Sequence, residues 1–113
     1  IVRALLDTEV EVDINATTKS GFTPLNGAAN EGNAEIVQLL LDRGADANIK
    51  TREGSVPLHS AAFGGYESIV LLHLDNSAEV GVKDHAGLTQ LHDAAREGHT
   101  TTVQLLLNRS ADL

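Results

Sequence analysis

The 113-residue chain has no cysteine, no methionine and no tryptophan, only two prolines, and three aromatic residues, Phe22, Phe63 and Tyr66. Without cysteine there is no disulfide framework, no thiol nucleophile and no cysteine-based zinc site, and the redox compartment is left open. With so few aromatics the core has to be aliphatic, assembled from Leu, Val, Ile and Ala. Positive charge is scarce as well. Eight Lys and Arg against 16 Asp and Glu give a formal charge of −8, the reverse of the basic footprint that phosphate neutralisation requires, so nucleic acid is not an expected partner. No apolar run approaches the ~20 residues of a membrane-spanning helix. With no signal or transmembrane segment in view, the expectation is a cytoplasmic or nuclear protein that does not engage membranes.

What the chain does have is a repeat. Adding 33 to Gly21, Pro24, Leu25, Ala28, Ala29 and Gly32 gives Gly54, Pro57, Leu58, Ala61, Ala62 and Gly65. A second addition gives Gly87, Gln90, Leu91, Ala94, Ala95 and Gly98, with only the proline lost. Self-similarity at a fixed period of this size marks a solenoid. The apolar content, 42% with 21% charged residues, suits one folded domain.

Residues 1–17 read as the back half of a repeat. Ile1-Val2-Arg3-Ala4-Leu5-Leu6-Asp7 resembles Ile36-Val37-Gln38-Leu39-Leu40-Leu41-Asp42, with two extra residues placed between Thr8 and Glu11. The first full unit spans 18–50. Pro24 suits the first position of a helix and Thr23 before it can cap, which predicts a short helix over 24–30. Ile36, Val37, Leu40 and Leu41 at helical spacing predict a second helix over 34–42, ended by Gly44, and a turn-rich excursion follows to Arg52. Units 51–83 and 84–113 repeat the pattern.

Thr23-Pro24-Leu25, Pro57-Leu58-His59, Leu91-His92, the paired alanines and Gly44-Ala45-Asp46-Ala47-Asn48 together resemble the ankyrin repeat, over essentially the whole chain. The resemblance implies an all-α solenoid of stacked helix-turn-helix units with protruding β-turn or hairpin loops. It also implies that the Thr and His of each Thr-Pro-Leu-His tie a helix start to its neighbouring repeat. Each copy departs from that tetrapeptide once, at Asn26, Val56 and Gln90. Val56 should therefore remove a cap and Asn26 should shorten a tie. Ser77 and Ser110 stand where a helix-terminal glycine is expected, at a left-handed position in which a Cβ is unfavourable.

The five histidines invite a catalytic or metal reading, but no nucleophile, base and orienter converge in the spacing, and no His-x-x-x-His pair occurs. His59 and His92 take the family's place of a buried structural histidine. His73 stands where Leu40 and Leu106 do, and Leu71 stands where Gln38 and Gln104 do, which suggests a partly buried histidine on a slightly rotated helix. The acidic alternation Asp7, Glu9, Glu11 and Asp13 lacks the glycine and terminal glutamate of a calcium loop and reads as a solvated loop. No cofactor, metal or small-molecule substrate is expected.

Recognition remains. The resemblance implies binding through the turn tips and the concave face of the first helices. Carried over by position, the tips are Lys19, Ser20 and Phe22; Lys50, Arg52, Glu53 and Ser55; and Lys83, His85, Ala86 and Leu88. The helix-face candidates are Asn30, Glu31, Phe63, Gly64, Arg96 and Glu97. Phe22 and Phe63 are the expected anchors, and Lys50, Arg52, Lys83 and Arg96 put a basic strip on an acidic protein, which implies an acidic or mixed protein or peptide partner. The expectation is a monomeric, non-catalytic protein-binding module; the competing reading is a structural spacer of a longer array. Asn48, two residues after Asp46 and eight after Leu40, also resembles the ankyrin asparagine that a dioxygenase hydroxylates.

Overall fold

The computed structural model of the protein describes residues 13–111 of the chain. The N-terminal half repeat up to residue 12, including the expected insertion at 8–11, lies outside the described residues. Among the described residues six helices form three pairs: α1 (Pro24–Asn30) and α2 (Ala34–Asp42), α3 (Pro57–Gly64) and α4 (Glu67–Asp75), α5 (Gln90–Arg96) and α6 (Thr100–Ala111). Among the described residues there is no strand. The fold is an all-α solenoid of helix-turn-helix units.

Local chemistry starts each first helix. At α1 the Thr23 hydroxyl accepts the Asn26 N–H at 3.2 Å, while the Asn26 carboxamide oxygen accepts the Thr23 N–H at 2.9 Å. Two of the helix's orphan donors are satisfied reciprocally. At α5, Thr89 and His92 do the same, with His92 Nδ1 accepting the Thr89 N–H at 3.0 Å. Val56 has no oxygen to offer α3, as expected, but His59 Nδ1 still accepts the Val56 N–H at 3.0 Å. Half of the cap survives the substitution. The expectation for Asn26 needs correcting. Both bonds of its carboxamide oxygen stay within its own turn, so it replaces the histidine as a cap and makes no shortened tie to the next repeat.

The first helices α1, α3 and α5 stack in one layer and the second helices α2, α4 and α6 in another, and the first-helix layer is the more closely packed. Small side chains explain this: Ala28, Ala29, Ala61, Ala62 and Ala94 are all buried and let helix axes approach. Between the layers lies an aliphatic core of Leu25, Val37, Leu40, Leu58, Ile69, Val70 and Leu106. The stack is elongated, 41 × 26 × 24 Å, as expected when each unit touches only its neighbours.

Three positions in the second-helix layer depart from expectation. His73 is not partly buried; its exposure is 0%. Leu40 and Leu106, its counterparts one repeat away on either side, are at 2% and 1%, so α4 is not rotated and the histidine simply occupies a leucine site. Leu71 accordingly remains on the outer surface at 37% exposure. The His73 Nδ1–H donates to the Ile69 carbonyl at 2.9 Å, which leaves Nε2 as a buried acceptor without a partner. Ser77 does adopt the left-handed conformation, with φ +66° where Gly44 has +91°. Ser110 does not, because α6 runs on through Ala111 and the position is helical.

Gln90, in place of proline at the start of α5, is 1% exposed, and its side-chain oxygen accepts the Gly81 N–H at 3.0 Å. The substitution gives up a preset φ but ties the helix to the preceding loop. Its Nε2 and the Thr102 hydroxyl on α6 join His73 Nε2 as buried polar atoms without partners. All three lie in the second and third helix pairs.

Burial holds the His73 pKa below its ordinary value of 6.5, although the bond to the Ile69 carbonyl opposes this. The unfolded chain therefore takes up a proton near pH 6.5 that the folded chain refuses, and stability is full above that pH and lost as pH falls below it. The loss approaches about 1.4 kcal/mol per pH unit until the folded-state value is reached. His73→Leu should raise stability at neutral pH by about 1–3 kcal/mol and flatten this acid limb. Urea unfolding at about pH 7.5 and about pH 5.5 measures both; equal pH slopes in the two proteins would show that His73 is not the titrating group.

Candidate functional site

The three turn tips are built on one plan. In each, the fourth residue's N–H closes on the first residue's carbonyl: Gly21 on Thr18, Gly54 on Thr51 and Gly87 on Asp84, all at 2.9 Å. The first residue's side chain then gathers the amides that follow. Thr18 takes Phe22, Thr51 takes Glu53 and Ser55, and Asp84 takes Ala86 and Leu88. Successive tips are joined backbone to backbone, by Arg52 N–H to the Ser20 carbonyl at 2.9 Å and His85 N–H to the Glu53 carbonyl at 2.8 Å. The tips therefore form a short ladder at one edge of the solenoid.

Side chains along this ladder point outward. Lys19, Ser20, Phe22, Lys50, Arg52, Glu53, Lys83, His85 and Ala86 are exposed, while Ser55 and Leu88 are half-buried. Phe22 is 46% exposed. Between the first two tips lies a cleft of about 380 Å³ lined by Ser20, Phe22, Thr51, Arg52 and Glu53. The imidazole of His85 lies so close to Gly54 that a Cβ there would meet its Cδ2 at 2.7 Å. The glycine at this tip, with φ +79°, thus serves both the turn and the packing of the next repeat.

The remaining candidates gather at the C-terminal ends of the first helices. Asn30 and Glu31 end α1, Phe63 and Gly64 end α3, and Arg96 and Glu97 end α5. All are exposed except Gly64, which is half-buried against the Tyr66 ring. Phe63 is 53% exposed, so it packs between no repeats. The His99 Nε2–H donates to the Phe63 carbonyl at 2.9 Å and fastens the end of α3 to the third pair. Tyr66 covers the corresponding place between the first two pairs, its ring over both Gly32 and Gly64. Composition gave no signal for Tyr66; its place at an offset of 33 from Asn33 and from His99 could have done so.

A second edge is tied by asparagines. The Asn15 side-chain oxygen accepts the Asp46 N–H at 2.9 Å. One repeat on, the Asn48 carboxamide holds both the Ser77 carbonyl, at 3.2 Å, and the Glu79 N–H, at 2.9 Å. Asn48 is thus an inter-repeat clamp as well as a turn residue.

Charge is distributed unevenly over these edges. An ion pair joins Arg109 to Asp75 on the second helices at 2.9 Å. Asp84 is held below the usual carboxylate range, chiefly by the Leu88 N–H it accepts, with help from the Ala86 N–H and the nearby His59 and His85. Burial pushes Asp93 the other way, against nearby His59.

His59 is buried, and because its Nδ1 accepts from Val56, its Nε2–H donates, reaching the Leu88 carbonyl at 3.1 Å. That is the structural tie expected of it. His92 makes the same cap but is exposed, contrary to expectation, because no described helix covers the far face of α5. Leu107 on the same end of the stack is 51% exposed, where its counterpart Leu74 is 9%. Among the described residues no group of three His, Asp or Glu is placed to hold a metal ion.

The stacked helix pairs, with their 33-residue period, match a known family. A family model described as ankyrin repeats (3 copies) matches residues 1–51 and 28–113. The chain belongs to the ankyrin repeat family. Curated relatives include the ankyrin repeat, SAM and basic leucine zipper domain-containing protein 1 of Saimiri boliviensis boliviensis, 48% identical over 46 residues, and its counterpart in Atelerix albiventris, 50% identical over 46 residues. Each match covers 41% of this chain and 9% of the relative, so the chain matches under a tenth of the length of these proteins. Ankyrin repeats are in general protein-interaction modules. No helix among the described residues is long and apolar enough to cross a membrane.

The two histidines should differ sharply when removed. His59→Ala strands a buried N–H and a carbonyl across a repeat interface and should cost about 2–3 kcal/mol, whereas His92→Ala loses an exposed half-cap and should cost about 0.5–1 kcal/mol. Denaturant midpoints decide between them, and equal losses would mean that the bond to Leu88 contributes nothing.

Proposed function

We propose that the chain is one domain, with a half repeat at 1–17, repeats at 18–50 and 51–83 and a nearly complete repeat at 84–113, that binds another protein or peptide through its turn tips and concave first-helix face. It acts as a non-catalytic monomer without a cofactor, in the cytoplasm or nucleus. The observation that carries this reading is the exposure of both phenylalanines, Phe22 at 46% and Phe63 at 53%, in a chain with one other aromatic residue. A spacer would gain from packing them between repeats; a binding surface needs them free.

Phe63 and Arg96 are equivalent residues of successive first helices, so about 10 Å separates an apolar anchor from a guanidinium fork suited to a carboxylate. Phe63→Ala and Arg96→Ala should each weaken a partner by about 1–3 kcal/mol with the fold intact, while Gln38→Ala and Gln104→Ala on the convex side change little. Calorimetric titration with parallel melting curves measures this; loss of binding together with a lower Tm in Phe63→Ala would make Phe63 a structural residue and remove it from the site.

Asn48 is the proposed hydroxylation site, favoured over Asn15, which has Asp7 at the upstream leucine position. Its carboxamide already holds Ser77 and Glu79, so the loop must open for an enzyme to reach it. Peptide mass spectrometry after treatment with an asparaginyl dioxygenase should find the added oxygen at Asn48 first, and modification of Asn15 alone would refute the assignment.

A further inference from the structure

The geometry points to the cleft between the first two turn tips, with Arg52 and Phe22 on its walls, as the acceptor for an acidic peptide segment in which an Asp or Glu side chain adjoins a large apolar one. This rests on the protein-binding reading above and names the chemistry of the partner.

Three observations carry it. The first is shape: the cleft, about 380 Å³, is large enough for one or two side chains and is bordered by the exposed Phe22 ring and the Arg52 side chain. Its frame is rigid, because Arg52 N–H is bonded to the Ser20 carbonyl and the Thr51 hydroxyl holds its own turn. A preformed pocket avoids an ordering penalty on binding.

The second is charge. The turn segments 18–22, 50–55 and 83–88 hold Lys19, Lys50, Arg52 and Lys83 against Glu53 and Asp84, a net of +2 in a chain of net −8. Among the described residues none of these four cations has an ion-pair or hydrogen-bonding partner for its side chain, whereas Arg109 on α6 is paired with Asp75 and Arg43 is also engaged. A protein with twice as many acids as bases has ample carboxylate to neutralise its cations internally, yet among the described residues these four stand unpaired along one edge. They are complementary to a carboxylate arriving from outside, and the planar Arg52 guanidinium can hold it through two parallel bonds.

The third is the pair of acids in the same row. Glu53 within the cleft and Asp84 one tip on would repel a continuous run of phosphates, which selects a peptide with spaced acidic residues over a nucleic acid.

Selection of a random displayed peptide library on the whole chain tests this, followed by anisotropy titrations of the enriched peptides. The result expected is enrichment of Asp or Glu next to Phe, Leu or Ile, with affinity falling at higher salt. Arg52→Glu should weaken these peptides by about tenfold or more and Phe22→Ala by a similar factor, while the charge-matched Arg109→Glu leaves affinity within about twofold. Because the Arg52 side chain is exposed and has no partner among the described residues, its variants should keep the wild-type circular dichroism; Arg52→Gln, which retains polarity, should weaken binding less than Arg52→Glu. Enriched peptides without acidic residues, unchanged affinity for Arg52→Glu, or tighter binding of a single-stranded oligonucleotide than of acidic peptides would overturn the assignment. Peptides lost with Phe63→Ala or Arg96→Ala but indifferent to Arg52→Glu would overturn the cleft alone; failure to enrich any peptide would overturn the protein-binding reading with it.

Discussion

Helices of seven to nine residues, as in the first five here, are too short to persist alone in water, and every other feature of this chain follows from that constraint. No pair can bury its apolar stripe against itself, so each borrows a surface from the next. The paired alanines keep the borrowed surface close, and the aliphatic core fills the space between the two layers. What the stack then lacks is direction, since apolar packing alone would tolerate sliding. Polar ties between neighbouring repeats fix the register: two of them recur at a constant offset, Arg52 to Ser20 with His85 to Glu53 and the asparagine bonds of Asn15 and Asn48, and His59 to Leu88 and His99 to Phe63 add single ties. Several of them run between partly shielded groups, where a missing partner is more costly than a present one is favourable.

That asymmetry explains why the repeats are not equally well made. The first pair has a complete cap, an Asn33 cap on its second helix and no buried orphan. The second pair has lost the Val56 side-chain cap, carries His73 in a leucine site and places Ser77 in a left-handed conformation that glycine holds in the first. Asn48 closes its carboxamide on the Ser77 carbonyl and on the amide two residues later, so a clamp from the first repeat braces the residue that a Cβ strains. The weaker repeat is thus held in part by its neighbour, as expected of a quasi-one-dimensional array whose stability is a sum of repeat and interface terms.

Much of this was legible in the sequence because the period multiplies each weak signal. One Thr-Pro-Leu triplet means little, but three skeletons at an offset of 33 locate the helix starts, the alanine contacts and the glycine turns to within a residue. What sequence reasoning misjudged were single positions at which residue type and register disagree. His73 looked like evidence for a rotated helix because histidine is usually at least partly wet; register overrode type, and Leu71 stayed outside. Ser110 looked like Ser77, but α6 continues through it. His92 looked like His59, yet burial is a property of the pair of surfaces and the second surface is missing from the described stack. The cross-repeat role of Tyr66 was hidden for a related reason: its partner is a glycine face, which composition does not announce.

The candidate site shows the same division. Position along the repeat put Phe22, Arg52, Phe63 and Arg96 on the tips and first-helix ends, and the period could do no more, since it treats all tips alike. Individuality enters through the side chains that the repeat does not need. The ladder between tips is made by backbone groups, so the residues that supply them can be any type without loss of fold, and Lys19, Arg52 and His85 occupy equivalent places. Freedom at these positions is what allows a common scaffold to specialise. The same freedom sets how the array can be retuned: changing a tip side chain alters which partner chemistry is complementary, while changing an alanine, His59 or Asn48 alters whether there is a surface at all.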